Sequence, residues 1–321
     1  MDVATYKAEF LYHYYKDQPR PASAHAMGQI YRWANIAARY PELANLITQT
    51  PGLSGFAKAV GGITQHRKMP AFARETFKSW FERRSKHVDH ANDERPAVIL
   101  WADTFNNHFF PHTAKAAVEV LESAGWRVQV PRRNLCCGRP LFDYGFLDHA
   151  KDQLGEIVDA LRPHLTKGIP IVVMEPSCAS VFRDELTNLF PADQDAQRLR
   201  QQVVTLAEFL NKSNYLPPTL KRKALLHGHC HQKAIFGMKN EQQVLSRVGL
   251  DAELLDSGCC GLAGSFGFEE SHYDISMKIG ERVLLPRVRD ANRDTLILTD
   301  GFSCREQIMH GTPRHALHLA E

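Results

Sequence analysis

No stretch of this 321-residue chain approaches the roughly 20 consecutive apolar residues of a membrane-spanning helix. The opening MDVATYKAEF carries charges and lacks the apolar core of a secretory signal, so the expected compartment is the cytoplasm. Also missing are GxGxxG after a strand, GxxxxGK[ST], HExxH and GxSxG, which removes the common dinucleotide, P-loop, zinc-protease and serine-hydrolase signatures. Dense basic stripes are absent too: the pI is near 8.4 and the basic residues are scattered, which argues against a nucleic-acid partner. Residues 1–95 hold 14 basic and 9 acidic side chains, so a modest positive excess lies in the front third. With 44% apolar and 23% charged residues, the remaining class is an ordinary globular protein of one large or two smaller domains.

Cysteine is absent from the first 135 residues, and the seven that follow are arranged: Cys136-Cys137, Cys178, Cys230, Cys259-Cys260 and Cys304. An odd number without an export signal points to metal or redox chemistry rather than a disulfide framework. Residues 1–95 read as helical, notably Ala22–Arg39 and Ala71–Arg84, with His87–Arg95 as a polar linker. Short apolar runs then alternate with helical patterns. Strands are expected at 97–101, 126–130 and 169–174, with helices at 113–124 and 146–161 between them. The order returns with strands at 224–227, 252–255 and 295–299 and helices at 241–248 and 272–288. The fold class is therefore α/β, two tandem βαβαβ units with parallel sheets behind a helical segment, divided as 1–95, 96–221 and 222–321.

The repeat carries the chemistry. The Cys-Cys-Gly pairs are 123 residues apart and the closing single cysteines 126 apart, and aligning the first strands sets Thr104 opposite Cys230, also 126 apart. One unit thus presents Thr104, Cys136, Cys137 and Cys178; the other presents Cys230, Cys259, Cys260 and Cys304. Each position follows a strand, so the four converge on the carboxyl edge of a parallel sheet, where such folds bind ligands. Thiolates suit zinc and iron–sulfur clusters. Zinc sites usually draw on close pairs spaced by two to four residues, which this chain lacks. Adjacent cysteines on an extended chain point to opposite sides, and a cluster several ångströms across tolerates that better than a single ion. Gly138 and Gly261 after the pairs permit a turn that aims backbone N–H groups at sulfur. For the second unit iron–sulfur is favoured, with zinc and unligated thiols or a vicinal disulfide as alternatives. The first unit, with a hydroxyl where a thiolate is expected, reads as a degenerate clusterless copy; three thiolates plus water are the alternative. His227, His229 and His231 bracket Cys230 at period two, and His229 or His231 could donate a hydrogen bond to cluster sulfur. Glycines 261, 264 and 267 space out GLAGSFG as a phosphate loop would, but its place after the cysteine pair makes it a loop around a cluster.

These motifs resemble a family. LCCGRPLFDYG, GCCGLAGSFGFE, HGHC, EPSC and DGFSC are similar to the cysteine-rich CCG domains of heterodisulfide reductase B subunits, anaerobic glycerol-3-phosphate dehydrogenase C subunits and the iron–sulfur parts of glycolate and lactate oxidases. WADTFNNHFFP, VPRRNLCCGRPLFDYG, EPSCASVFRDEL and SGCCGLAGSFGFE further resemble the carboxyl-terminal half of FAD-linked D-2-hydroxy-acid dehydrogenases. The resemblance implies an electron-transfer module holding a 4Fe-4S cluster on Cys230, Cys259, Cys260 and Cys304. FAD is then expected on a partner or a missing domain, with a ferredoxin-type module beside it and a quinone or redox protein as acceptor. Its place would be the cytoplasm, or peripherally at the inner membrane. Where CCG units carry a five-cysteine set, the last pair is CxxC; here Glu175 and Gly301 stand at its first position, which argues for four ligands. Two rivals remain: a thiol or disulfide reductase whose cluster binds substrate sulfur, and a zinc-stabilised interaction domain.

Overall fold

A computed structural model describes residues 3–86, 93–213 and 215–321. Strands Ala97–Trp101 (β1), Arg127–Gln129 (β2), Ile171–Val173 (β3) and Val203–Thr205 (β4) form one parallel sheet in the order β2-β1-β3-β4. Lys223–Leu226 (β5), Asp251–Leu254 (β6) and Leu296–Leu298 (β7) form a second, in the order β6-β5-β7. Both place the first strand between the second and third of their unit. The strands bury both faces. Ile99, Trp101, Ile171 and Val173 pack on the side of the helix Leu147–Leu165. Val98, Leu100 and Val172 pack on the other side, against Ala114, Ala117, Val118 and Leu121 of the helix Pro111–Ser123. This two-faced burial explains why β1 reads as a continuous apolar run rather than an alternation.

The α/β class and the parallel repeat stand as expected, with local differences. β4 has no counterpart among the expected strands, because three residues following the polar helix Gln194–Gln202 give too short a pattern. In the second sheet the corresponding place is reduced to one parallel bridge, Leu298 with Leu317. The expected helix over 71–84 begins only at Phe77, where Thr76 caps it by accepting from the Ser79 N–H; the preceding residues are irregular. Ala22–Arg39 is two helices, Ala22–Gly28 and Ile30–Ala37. The helix expected over 272–288 divides into Tyr273–Glu281 and Leu284–Asp290. Most of the expected linker, residues 87–92, lies outside the described residues.

The two sheets are joined by specific contacts. Phe105 and Phe302 stack at 4.2 Å between centroids. Arg305 donates to Thr113 Oγ1 at 2.8 Å and Asn106 Oδ1 at 3.1 Å. Both carboxyl edges therefore face a shared space, and the amino-terminal helices close over it: Arg20 donates to the Tyr144 and Gly145 carbonyls, and Tyr31 to that of Asn134. No helix among the described residues is long and apolar enough to cross a membrane.

Candidate metal centre

Each cysteine position follows its strand as the repeat implied. Thr104 and Cys230 open the helices Thr104–His108 and Cys230–Ile235 after β1 and β5. The pairs Cys136-Cys137 and Cys259-Cys260 follow β2 and β6. Cys178 and Cys304 lie in the first turns of Pro176–Arg183 and Phe302–Gly311, after β3 and β7. The alignment of Thr104 with Cys230 thus holds in space.

In the second set Cys230 lies beside Cys259, Cys259 beside Cys260 and Cys260 beside Cys304, each pair close enough for the thiols to act on one another, so the four sulfurs are contiguous. Cys260 and Cys304 are buried and Cys230 and Cys259 partly so. The chain of thiols is electrically divided. Hydrogen bonding from Cys230, then from Cys260, draws Cys259 far below the ordinary thiol range, and Cys260 together with His227 does the same for Cys304. Cys230 and Cys260 are pushed up by those same interactions and by burial. Four thiols packed together in a largely buried site, two of them pushed toward the thiolate, suit a soft cation, which would displace their protons on binding. Backbone donors face the sulfurs: the Gly261 N–H lies 3.4 Å from Cys259 Sγ, and that of His231 reaches Cys230. Gly261 has φ +94°, and a Cβ there would lie 2.2 Å from the Ser276 carbonyl, so both the turn and the close packing demand glycine. Ala263, Gly264, Ser265 and Phe266 of the GLAGSFG loop line the same cavity as Cys230.

The histidines divide differently from the period-two reading. β5 ends at Leu226 and the chain turns into a helix at Cys230, so the three rings do not share one strand face. His229 and His231 have ring nitrogens that group with Cys230 Sγ within 4.8 Å. His227 instead goes deeper, to Cys260 and Cys304, again within 4.8 Å. It is 1% exposed, with Nδ1 at 2.6 Å from Ser257 Oγ and Nε2 without a hydrogen-bond partner of ordinary geometry among the described residues. A side chain so placed can donate to sulfur, and the four-cysteine pattern gave no hint of it because its place is set by where the strand stops.

The first set is equally compact but of opposite character. Cys137 and Cys178 lie 3.0 Å apart between sulfurs. The Thr104 hydroxyl rests against Cys136 and favours its thiolate, but the bond to Cys137 and burial prevail and push that thiol well up. Cys178 is held at about 12: Cys137 favours its thiolate, while burial, Asp103 and Glu175 oppose it. The two carboxylates occupy helix caps. Asp103 Oδ1 accepts from the N–H groups of Phe105 and Asn106, and Glu175 Oε1 accepts from the Ser177 hydroxyl, both side chains being buried. Their counterparts in the second set are His229 and Gly301, with no carboxylate. Burial is the larger influence against the Cys178 thiolate and the two cap carboxyls add to it, while burial raises both of these carboxyls as well, none of which the cysteine spacing could reveal.

Both sets open on one cavity of about 580 Å³. Cys136, Cys137 and Cys178 line it from one side and Cys230 from the other, with Phe105, Phe302 and residues of the amino-terminal helices completing the wall.

Residues 102–183 match the model of the CCG cysteine-rich domain, a span that holds the Thr104, Cys136, Cys137 and Cys178 set. The chain is 27% identical over 289 residues to the anaerobic glycerol-3-phosphate dehydrogenase C subunit of Escherichia coli (strain K12), covering 88% of this chain and 72% of that one. It is 28% identical over 241 residues to lactate utilization protein A 2 of Bacillus cereus (strain Q1), covering 70% of this chain and 96% of the relative. Lactate utilization protein A 1 of Bacillus anthracis (strain CDC 684 / NRRL 3495) matches at the same level. Residues 102–183 thus belong to the CCG cysteine-rich domain family, in a chain similar over most of its length to these proteins.

Proposed function

We propose that the chain is an iron–sulfur electron-transfer component of a dehydrogenase, with a 4Fe-4S cluster on Cys230, Cys259, Cys260 and Cys304. The observation that carries this reading is the contiguity of those four sulfurs under backbone N–H groups. A bound cluster supplies reversible one-electron transfer. The chain's own part is to hold it in a dry site, to direct Gly261 and His231 N–H groups at sulfur, and to set its potential with the charges around it. In this reading residues 222–321 hold the cluster, residues 96–221 form the degenerate unit, and residues 1–95 cover the cavity and offer a docking surface. Exposed Trp33, Tyr40, Leu43 and Phe56 on the last of these support that assignment.

Relatives named as a dehydrogenase component and as lactate utilization proteins support a role beside a partner that oxidises a small hydroxylated substrate. The finer reading is a flavoprotein acting on a 2-hydroxy acid, with a ferredoxin-type module between flavin and this chain and a quinone or redox protein after it. Hydride chemistry belongs to the flavin. The test is to mix anaerobic, loaded protein with candidate flavoproteins and add D-lactate, glycolate, D-2-hydroxyglutarate or glycerol 3-phosphate. Bleaching of cluster absorbance with one of the 2-hydroxy acids supports the finer reading. Bleaching with glycerol 3-phosphate alone replaces it, and failure with every partner contradicts it.

A further inference from the structure

Arg67 belongs to the amino-terminal segment, yet it is 2% exposed inside the second unit. The segment reaches it by crossing the chain just beyond the cysteine pair: Thr64 N–H donates to the Phe268 carbonyl at 2.7 Å, and Ile63 bridges to Glu269. The guanidinium then makes only neutral contacts. Nε donates to the Gly267 carbonyl at 2.6 Å, and Nη2 donates to Ser276 Oγ at 2.9 Å and Gln307 Oε1 at 2.7 Å. The aromatic rings of Tyr273 and Phe268 lie 5.3 and 5.8 Å away. Among the described residues it forms no ion pair. A buried cation without a counter-charge is costly, and such groups are normally paired.

The partners of Arg67 point to where the missing anion lies. Gln307 sits three residues beyond Cys304 on the same helix and donates to the Ser276 carbonyl, the atom that packs on Gly261 directly after Cys260. Gly267, whose carbonyl Arg67 holds, closes the GLAGSFG loop. Tyr273, Cys260 and Glu306 are the titratable groups near enough to act on the guanidinium, and none of them is hydrogen-bonded to it. Resting on the proposed function, we infer that Arg67 is a positioning residue that supplies the buried counter-charge of the second-unit cluster. It fastens the loop around the cluster and raises the cluster's reduction potential. The sign follows from electrostatics: adding an electron deepens the negative charge of a thiolate-bound cluster, and a fixed cation in a poorly screened site favours that form.

The experiment is an anaerobic redox titration of the full chain, followed by visible absorbance and electron paramagnetic resonance, with iron and acid-labile sulfide measured on each sample. Arg67→Gln should keep most of the iron and shift the one-electron equilibrium about tenfold toward the oxidised form, a potential about 59 mV more negative. Arg67→Lys, which keeps the charge, should stay within about threefold of the parent. Gln307→Glu leaves Arg67 in place but puts a carboxylate against it, and should shift the equilibrium in the same direction as Arg67→Gln, whether or not the latter folds. Potentials unchanged in Gln307→Glu, or equal shifts in Arg67→Gln and Arg67→Lys, overturn the inference while leaving the cluster reading intact. A parent protein without iron fails the cluster reading itself.

Discussion

Gly301 lies against the ring of His229: a Cβ built on Gly301 would fall 2.3 Å from His229 Cδ2. The position is the one at which a five-cysteine set would place the first residue of its closing pair. Here the histidine beside Cys230 occupies the volume that such a side chain needs. Glu175, the counterpart in the first sheet, turns its carboxylate to the same region and accepts from the Phe302 N–H at 2.8 Å, so the two sets share a wall.

Gly301→Cys should accordingly lower stability by about 1–3 kcal/mol through overpacking. The companion His229→Ala should restore most of the loss by opening the space. Denaturant midpoints of the two single variants and the double variant test this, and additive losses would contradict it.

The two cysteine sets should respond unequally to mutation. Cys136→Ser and Cys178→Ser are expected to leave iron content nearly unchanged, because Thr104 lacks a thiolate and burial, with Asp103 and Glu175 adding to it, raises the Cys178 thiol to about 12. Iron halved by either change would show a second cluster. Thr104→Cys completes the fourth thiol, and extra iron in that variant would identify the hydroxyl as what keeps the first set empty.

Glu241 gives a pH signature away from the cysteines. It is 2% exposed, Gln232 donates to its Oε1 at 2.5 Å, and burial with help from Asp300 raises its carboxyl to about 7. In the unfolded chain it titrates near the ordinary value, about 4.3. Between those values the folded state keeps a proton that the unfolded state has lost, so this group's contribution to stability is fully present below about pH 4.3 and is lost as pH rises through about 7. Glu241→Gln should flatten this part of the profile and gain about 1–3 kcal/mol at pH 8. Thermal midpoints between pH 5 and 8 provide the check; parallel profiles would contradict it.

Much of the architecture was legible because the two units bury both faces of their sheets, so strands such as 97–101 appear as bare apolar runs between amphipathic helices. The repeat of cysteine spacing placed Thr104 against Cys230 without any structure. What could not be read was set by contacts between distant segments. β4 is three residues long, Arg67 reaches across 200 residues to Gly267, and His227 parts from its neighbours because the strand ends one residue before it. The carboxylates at Asp103 and Glu175 look like ordinary helix caps in sequence. Only the fold shows that they are buried near Cys178 and act on its thiol.

The isolated chain is expected to oxidise no hydroxy acid in the presence of an artificial dye, since hydride removal is assigned to a flavoprotein. Dye reduction with D-lactate or glycolate at a rate above the protein-free control would contradict that division of labour.

The most direct measurement is the iron and acid-labile sulfide content of anaerobically purified or reconstituted chain, beside Cys259→Ser and Cys304→Ser. The account predicts brown protein with about four irons and matching sulfide per chain, and loss of both in either variant. Colourless parent protein, or zinc in place of iron without sulfide, would contradict it.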